Sequence, residues 1–186
     1  MVCLVRVFIS VDIPQNMADK ISQVQSYFSD FNFKFVDPLQ VHLTLKFLGD
    51  VDDKLIPDIA EALDNINYEP FEARITGLGV FPKPSYAKVI WIGAEGGFEG
   101  LHREVESCLK DLNFKRDKKE FTAHLTIARV KFMPKSKKEN FLKLFNELKD
   151  VDIGTMSVNS VYLKKSTLTP DGPVYETLHE VHLGDM

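Results

Sequence analysis

The sequence predicts an α+β fold: a bilobal, duplicated chain with pseudo-two-fold symmetry, mostly antiparallel sheets flanked by helices, and a cleft between the lobes. Three observations carry this expectation. The segment VHLTLKFLG at 41–49 matches AHLTIARVK at 123–131, so that His124 lies 82 residues after His42. Apolar stripes with helical spacing recur at nearly the same offset. Alternating, β-branched segments stand between them at equivalent places in each half.

Taken in order, VRVFISVD at 5–12 alternates and reads as a strand. Met17, Ile21, Val24 and Phe28 then form one helix face, and Leu101, Val105, Cys108 and Leu112 repeat it 84 residues later. The two His-Leu-Thr segments read as strands. Ile59, Ala62, Leu63 and Ile66 form a second helix face, which Phe141, Leu144, Phe145 and Leu148 repeat at an offset of 82. Phe71 to Phe81 and Thr155 to Lys164 read as strands closing each half, and KVIWIG at 88–93 opens the second. Thr169-Pro170-Asp171-Gly172-Pro173 is a turn into a last strand at about 174–183. The repeat therefore runs over about 5–81 and 88–164 plus that strand. No Pro- or Ser-rich linker separates the halves, and residues 1–186 are expected to form a single domain.

Composition narrows the function classes. The chain has 186 residues, 44% apolar and 27% charged, which excludes a disordered tail and a disulfide mini-protein. No apolar run approaches a membrane helix of about 20 residues. The N-terminal MVCLVRVFISVDIP has neither a basic n-region nor a small-residue cleavage site. Cys3 and Cys108 fit a reducing compartment, and a cytoplasmic location is expected. The formal net charge is −4. Residues 115–138 nevertheless hold nine basic side chains against Asp117 and Glu120. Such a segment is either an ordinary solvated loop and helix start or a local field for an anionic ligand.

Strand alternation puts His42, Thr44 and Lys46 on one face, opposite Leu43, Leu45 and Phe47. His124 and Thr126 likewise oppose Leu125 and Ile127. Strict alternation places Arg129 on the wrong face unless the strand bulges or ends there. A pseudo-two-fold axis would bring both His/Thr faces to one groove. Two imidazoles beside an anion suit acid–base chemistry at phosphorus, with a neutral ring accepting a proton from water and a charged ring donating one to the leaving alkoxide. The threonine hydroxyls can bind the charge that develops on the non-bridging oxygens. Symmetry leaves the two roles exchangeable. Neither His face carries a carboxylate and no HExxH is present, so no metal site and no cofactor are expected. His102, His179 and His182 have no repeat mates and are expected to be structural or at the surface.

At these residues the chain resembles the 2H phosphoesterase superfamily, and within it the RNA 2′,3′-cyclic phosphodiesterases, also called 2′-5′ RNA ligases. The resemblance covers nearly the whole chain: RVFISVDIP at 6–14, HLTLKFLG at 42–49, GLGVFPKPSYAKVIWIG at 77–93, HLTIARV at 124–130 and LKKSTLTPDGPVYETL at 163–178. It implies hydrolysis of RNA or nucleoside 2′,3′-cyclic phosphates to 2′-phosphomonoesters without metal, and reversible 2′-5′ ligation of RNA ends. It implies His42 as proton donor, His124 as proton acceptor, and Thr44 and Thr126 as phosphate-binding residues. Arg129 matches a basic position of the family and is a substrate-contact candidate, as is Lys46. Phe8 and Tyr175 are candidates for stacking on a base, against ordinary packing roles. The expected partners are RNA ends bearing a 2′,3′-cyclic phosphate or cyclic nucleotides, with no membrane, and the chain is expected to be a monomer. Two alternatives remain: a non-catalytic RNA-end binding protein, and a related enzyme for a small cyclic-phosphate metabolite.

Overall fold

A computed structural model of the chain describes residues 3–115, 120–170 and 172–184. The first half runs β1 (Leu4–Asp12), α1 (Ala18–Ser26), a short β2 (Lys34–Phe35), β3 (His42–Asp52), α2 (Ile56–Leu63) and β4 (Phe71–Lys83). The second runs β5 (Tyr86–Glu95), α3 (Phe98–Cys108), β6 (His124–Arg129), α4 (Lys138–Leu148) and β7 (Asp152–Val158), followed by β8 (Ser160–Thr169) and β9 (Gly172–His182). The strand–helix–strand–helix–strand order read from the sequence is present in both halves. The basic residues Arg116, Lys118 and Lys119 lie outside the described residues.

The strands form one antiparallel path, β7-β4-β5-β6-β3-β1-β8-β9, with β2 pairing to β6. Its two wings meet at β3 and β6 through a single registered pair, Leu43 with Leu125. Each wing borrows from the other half. β4, which ends the first half, pairs with β5 of the second, and β8 pairs with β1 of the first. The segment read from sequence as one strand, Thr155 to Lys164, is two strands separated at Asn159. β7 pairs with β4 in one wing and β8 with β1 in the other. Alternation continues through the break, so the local pattern carries no mark of the change of partner.

The helices also cross over. α1 packs near β6, and α3 packs against β3. The predicted stripes supply their buried faces: Met17, Ile21, Val24 and Phe28 are all buried, as are Leu101 and Val105. Each fully buried Leu, Ile or Phe contributes about 1.5–3 kcal/mol over its exposed state. The core thus lies behind the sheet, with helices packed behind the β3–β6 junction.

Both central strands carry a bulge at the same position. Along β1, Ile9 pairs with Lys46 and Ser10 with Thr44, passing over Leu45. Along β5, Ile90 pairs with Ala128 and Trp91 with Thr126, passing over Ile127. The extra residue reverses the alternation that follows it. Burial records the result: Leu45 and Lys46 are both buried while Phe47 is exposed, and Ile127 and Ala128 are both buried while Arg129 is exposed.

Candidate active site

The junction of the wings opens a cleft of about 910 Å³, lined by His42, Thr44, His124 and Thr126, with Phe47, Arg129 and Tyr175 farther along its walls. With Leu43 opposite Leu125, the antiparallel register extended by one residue sets His42 across from Thr126 and Thr44 across from His124. Histidine and threonine therefore alternate around the pseudo-two-fold axis. A small tetrahedral anion at the centre would have an imidazole on either side and a hydroxyl between them on either flank.

Each imidazole is held the same way. His42 Nδ1 lies 2.8 Å from the Gln40 carbonyl, and His124 Nδ1 lies 2.6 Å from the Thr122 carbonyl, each two residues upstream. A carbonyl oxygen only accepts, so both Nδ1 atoms carry hydrogen and donate. The neutral ring then presents a bare Nε2, which becomes a donor once the ring is charged. Burial pushes both imidazoles below their ordinary pKa of 6.5. The carbonyl bonds oppose the shift in each case. Lys164 adds to the lowering at His42 and Arg129 adds to it at His124, while Asp12 works to raise His42. A phosphate bound between the rings would counter the burial effect by favouring a charged ring.

Aromatic walls surround both rings. Phe8 stacks on His42 with centroids 5.0 Å apart, and Tyr175 meets the same ring edge-on at 5.0 Å. Phe81 meets His124 edge-on at 5.0 Å, with Trp91 at 5.9 Å. Gly79 makes room for that indole: a Cβ there would lie 2.1 Å from it. These contacts hold the imidazole planes and lower the local polarity, which is the physical source of the depressed pKa values.

The geometry revises one sequence expectation and bears on two that were left open. Lys46 does not share the His42 face. The bulge turns it to the back of β3, where it is 1% exposed, pairs with Glu106 of α3 and donates to the Lys115 carbonyl at 3.1 Å. Its proposed contact with substrate is therefore replaced by a contact with α3. Arg129, which strict alternation put on the wrong face, is brought into the cleft by the matching bulge. Phe8 lines the cleft but is 3% exposed and already stacked on His42, leaving little surface for a base. Tyr175 is half-buried beside the same ring. Outside the cleft, His179 bonds to Asp64 at 2.6 Å, His182 approaches Ser160 Oγ at 3.0 Å, and His102 stacks on Phe121.

Several site features escaped sequence reasoning. Lys164 pairs with Asp12 at 2.6 Å close to His42. Gln25 of α1 donates from Nε2 to the carbonyl of Ile127, the bulged residue of β6, and to that of Val36. A partial signal existed for the bulge itself, because Ala128 puts an apolar residue on a face otherwise marked by His124 and Thr126. Among the described residues, no group of three or more His, Cys, Asp or Glu side chains is arranged to hold a metal ion. No helix among them is long and apolar enough to cross a membrane.

Comparison with known proteins agrees with this geometry. The family model described as LigT like Phosphoesterase matches twice, over residues 11–91 and 93–175, one match to each half. A Methanocaldococcus jannaschii protein named RNA 2′,3′-cyclic phosphodiesterase is 36% identical over 176 residues, covering 94% of this chain and 99% of its own. One of the same name from Aeropyrum pernix is 40% identical over 151 residues, covering 80% and 85%. Among solved structures, a Thermus thermophilus protein superposes with a TM-score of 0.81 at 29% identity, covering 97% of this chain and 100% of that one. E. coli LigT complexed with 3′-AMP superposes with a TM-score of 0.78 at 18% identity, covering 98% and 100%, a likeness of fold. With both halves matched and relatives aligned over nearly their full length, the chain belongs to the LigT-like phosphoesterase family, among the 2H phosphoesterases.

Proposed function

We propose that this chain hydrolyses RNA or nucleoside 2′,3′-cyclic phosphates to 2′-phosphomonoesters by two-histidine acid–base catalysis. The observation that carries the reading is the pair of imidazoles, each tethered through Nδ1 to a carbonyl two residues upstream and each lining one cleft. His124 Nε2 takes a proton from water as its oxygen attacks phosphorus. The bond from phosphorus to the 3′ oxygen breaks, and charged His42 donates its Nε2 proton to that oxygen. Thr44 and Thr126 hydrogen-bond the non-bridging oxygens and stabilise the charge gathering there. Solvent returns both rings to their starting states. With a 5′ hydroxyl in place of water, the same steps join two RNA ends through a 2′-5′ linkage.

Arg129 reaches the cleft as a cation for a neighbouring phosphate, and Tyr175 offers a partly open ring beside His42. The reading places the chain in the cytoplasm, acting as a monomer and as one domain, since the strands of the two halves interleave along one sheet. It needs no metal, because both proton transfers are assigned to imidazole. The test is turnover of a 2′,3′-cyclic mononucleotide by His42→Ala and His124→Ala, with circular dichroism as the check on folding. Each variant should lose about 10²–10⁴-fold in turnover, the usual contribution of a positioned acid or base. Near-normal turnover by either would reject the paired mechanism.

A further inference from the structure

A second groove, of about 480 Å³, lies beyond the Arg129 end of the catalytic cleft. Phe31 and Phe33 are buried residues in its lining and stack on each other with centroids 5.3 Å apart. Phe132 stands in its wall and is 75% exposed. Asn32, Lys34, Lys131 and Lys137 supply the polar lining, and among the described residues no acidic side chain lines it. Lys137 also donates to the Asp30 carbonyl, a neutral partner that leaves its charge in place.

The groove adjoins the cleft at Lys34. Lys34 lines both, and β2 carries it alongside Arg129 in register. The chain leaving Arg129 then runs out of the strand through Val130 and Lys131 to Phe132, three residues on and so within about 10 Å. A row of cations with an exposed aromatic ring beside it is the chemistry that holds a single nucleic-acid strand: ammonium groups follow the phosphates, and the ring accepts a base.

We propose that this groove binds the RNA strand leading to the terminal cyclic phosphate, with a base stacked on Phe132 and its phosphates against Lys34, Lys131 and Lys137. The proposal rests on the reading of the cleft as a cyclic phosphodiesterase site. It makes the enzyme sensitive to substrate length: an oligonucleotide spans cleft and groove, whereas a mononucleotide occupies the cleft alone.

The experiment compares a 2′,3′-cyclic mononucleotide with an RNA oligomer ending in the same cyclic phosphate, for the wild type, Phe132→Ala and Lys131→Ala. Both side chains are exposed and outside the cleft lining. Phe132→Ala should raise KM for the oligomer about 5- to 100-fold, the loss of one base–aromatic stack, and leave the mononucleotide unchanged. Lys131→Ala should raise it less and reduce the salt dependence of log KM by about 0.7, one phosphate contact on a single strand. Wild-type oligomer kinetics in both variants, or equal losses on both substrates, would overturn the groove while the cleft chemistry stands. A wild-type enzyme that cleaves neither substrate would overturn the cleft reading and the groove with it.

Discussion

Strands β3 and β6 present the same His-x-Thr face and are supported from behind by different means. Behind β6, the bulge position is Ala128, and Gln25 of α1 holds the adjacent Ile127 carbonyl at 2.9 Å. Behind β3, the equivalent position is Lys46, buried and charged, and Glu106 of α3 pairs with it. In each case the brace comes from a helix of the other half. In front, His42 has the Asp12–Lys164 ion pair for a neighbour, and His124 has Arg129. What the halves share is the placement of the two histidine and two threonine side chains that line the cleft. What they do not share is the electrostatic setting, so the two histidines begin from the same geometry and are free to take different roles.

After the histidines themselves, the largest expected effect on catalysis breaks the shared part. Thr44→Ala and Thr126→Ala should each lower kcat by about 10²–10³-fold, the scale of removing one preorganised donor from a developing oxyanion. If the pseudo-symmetry is functional, the two losses should be similar; a large loss at one threonine and none at the other would confine phosphate binding to one half. The next effect tests the unshared brace. Glu106→Ala leaves Lys46 buried without its carboxylate and should destabilise the fold by about 3 kcal/mol, measured by urea unfolding. Adding Lys46→Met should recover most of that loss, since an apolar side chain already serves at Ala128. Failure of the second change to rescue would mean that the β3 bulge needs its charge.

A smaller effect separates the roles of the two rings. Lys164→Met removes a cation that lowers the His42 pKa and leaves Asp12, which raises it. The limb of the kcat/KM–pH profile belonging to His42 should move to higher pH while the other limb stays. Movement of the falling, alkaline limb identifies His42 as the proton donor; movement of the rising limb assigns it the acceptor role instead. The smallest effect concerns stability. Both folded-state imidazoles titrate below 6.5, so between the two values the unfolded chain binds more protons than the folded one. Stability is fully present above 6.5 and is lost as pH falls through the folded pKa. His42→Asn should therefore flatten the decline of Tm below that pH.

Much of this was legible in the sequence because it depends on local periodicity. The helix stripes of Met17 to Phe28 and Leu101 to Leu112, and the His/Thr faces of both central strands, follow from spacing alone. The exchange of β4 and β8 between wings was not legible, since alternation marks a strand without naming its partner. Lys46 was misplaced for the same reason: its direction depends on a bulge set by pairing with β1, and its partner Glu106 lies 60 residues away. The carbonyls of Gln40 and Thr122 that orient the two rings are backbone groups, which side-chain identity does not reveal.

The central claim is imidazole-driven opening of a cyclic phosphate, and phosphorus NMR of a 2′,3′-cyclic nucleotide incubated with the enzyme in EDTA tests it most directly. The account predicts that the cyclic resonance is replaced by a single phosphomonoester, with phosphorus retained on the 2′ oxygen, at the same rate as without chelator. Turnover that vanishes in EDTA and returns with zinc, or a product carrying the phosphate on the 3′ oxygen, would contradict it.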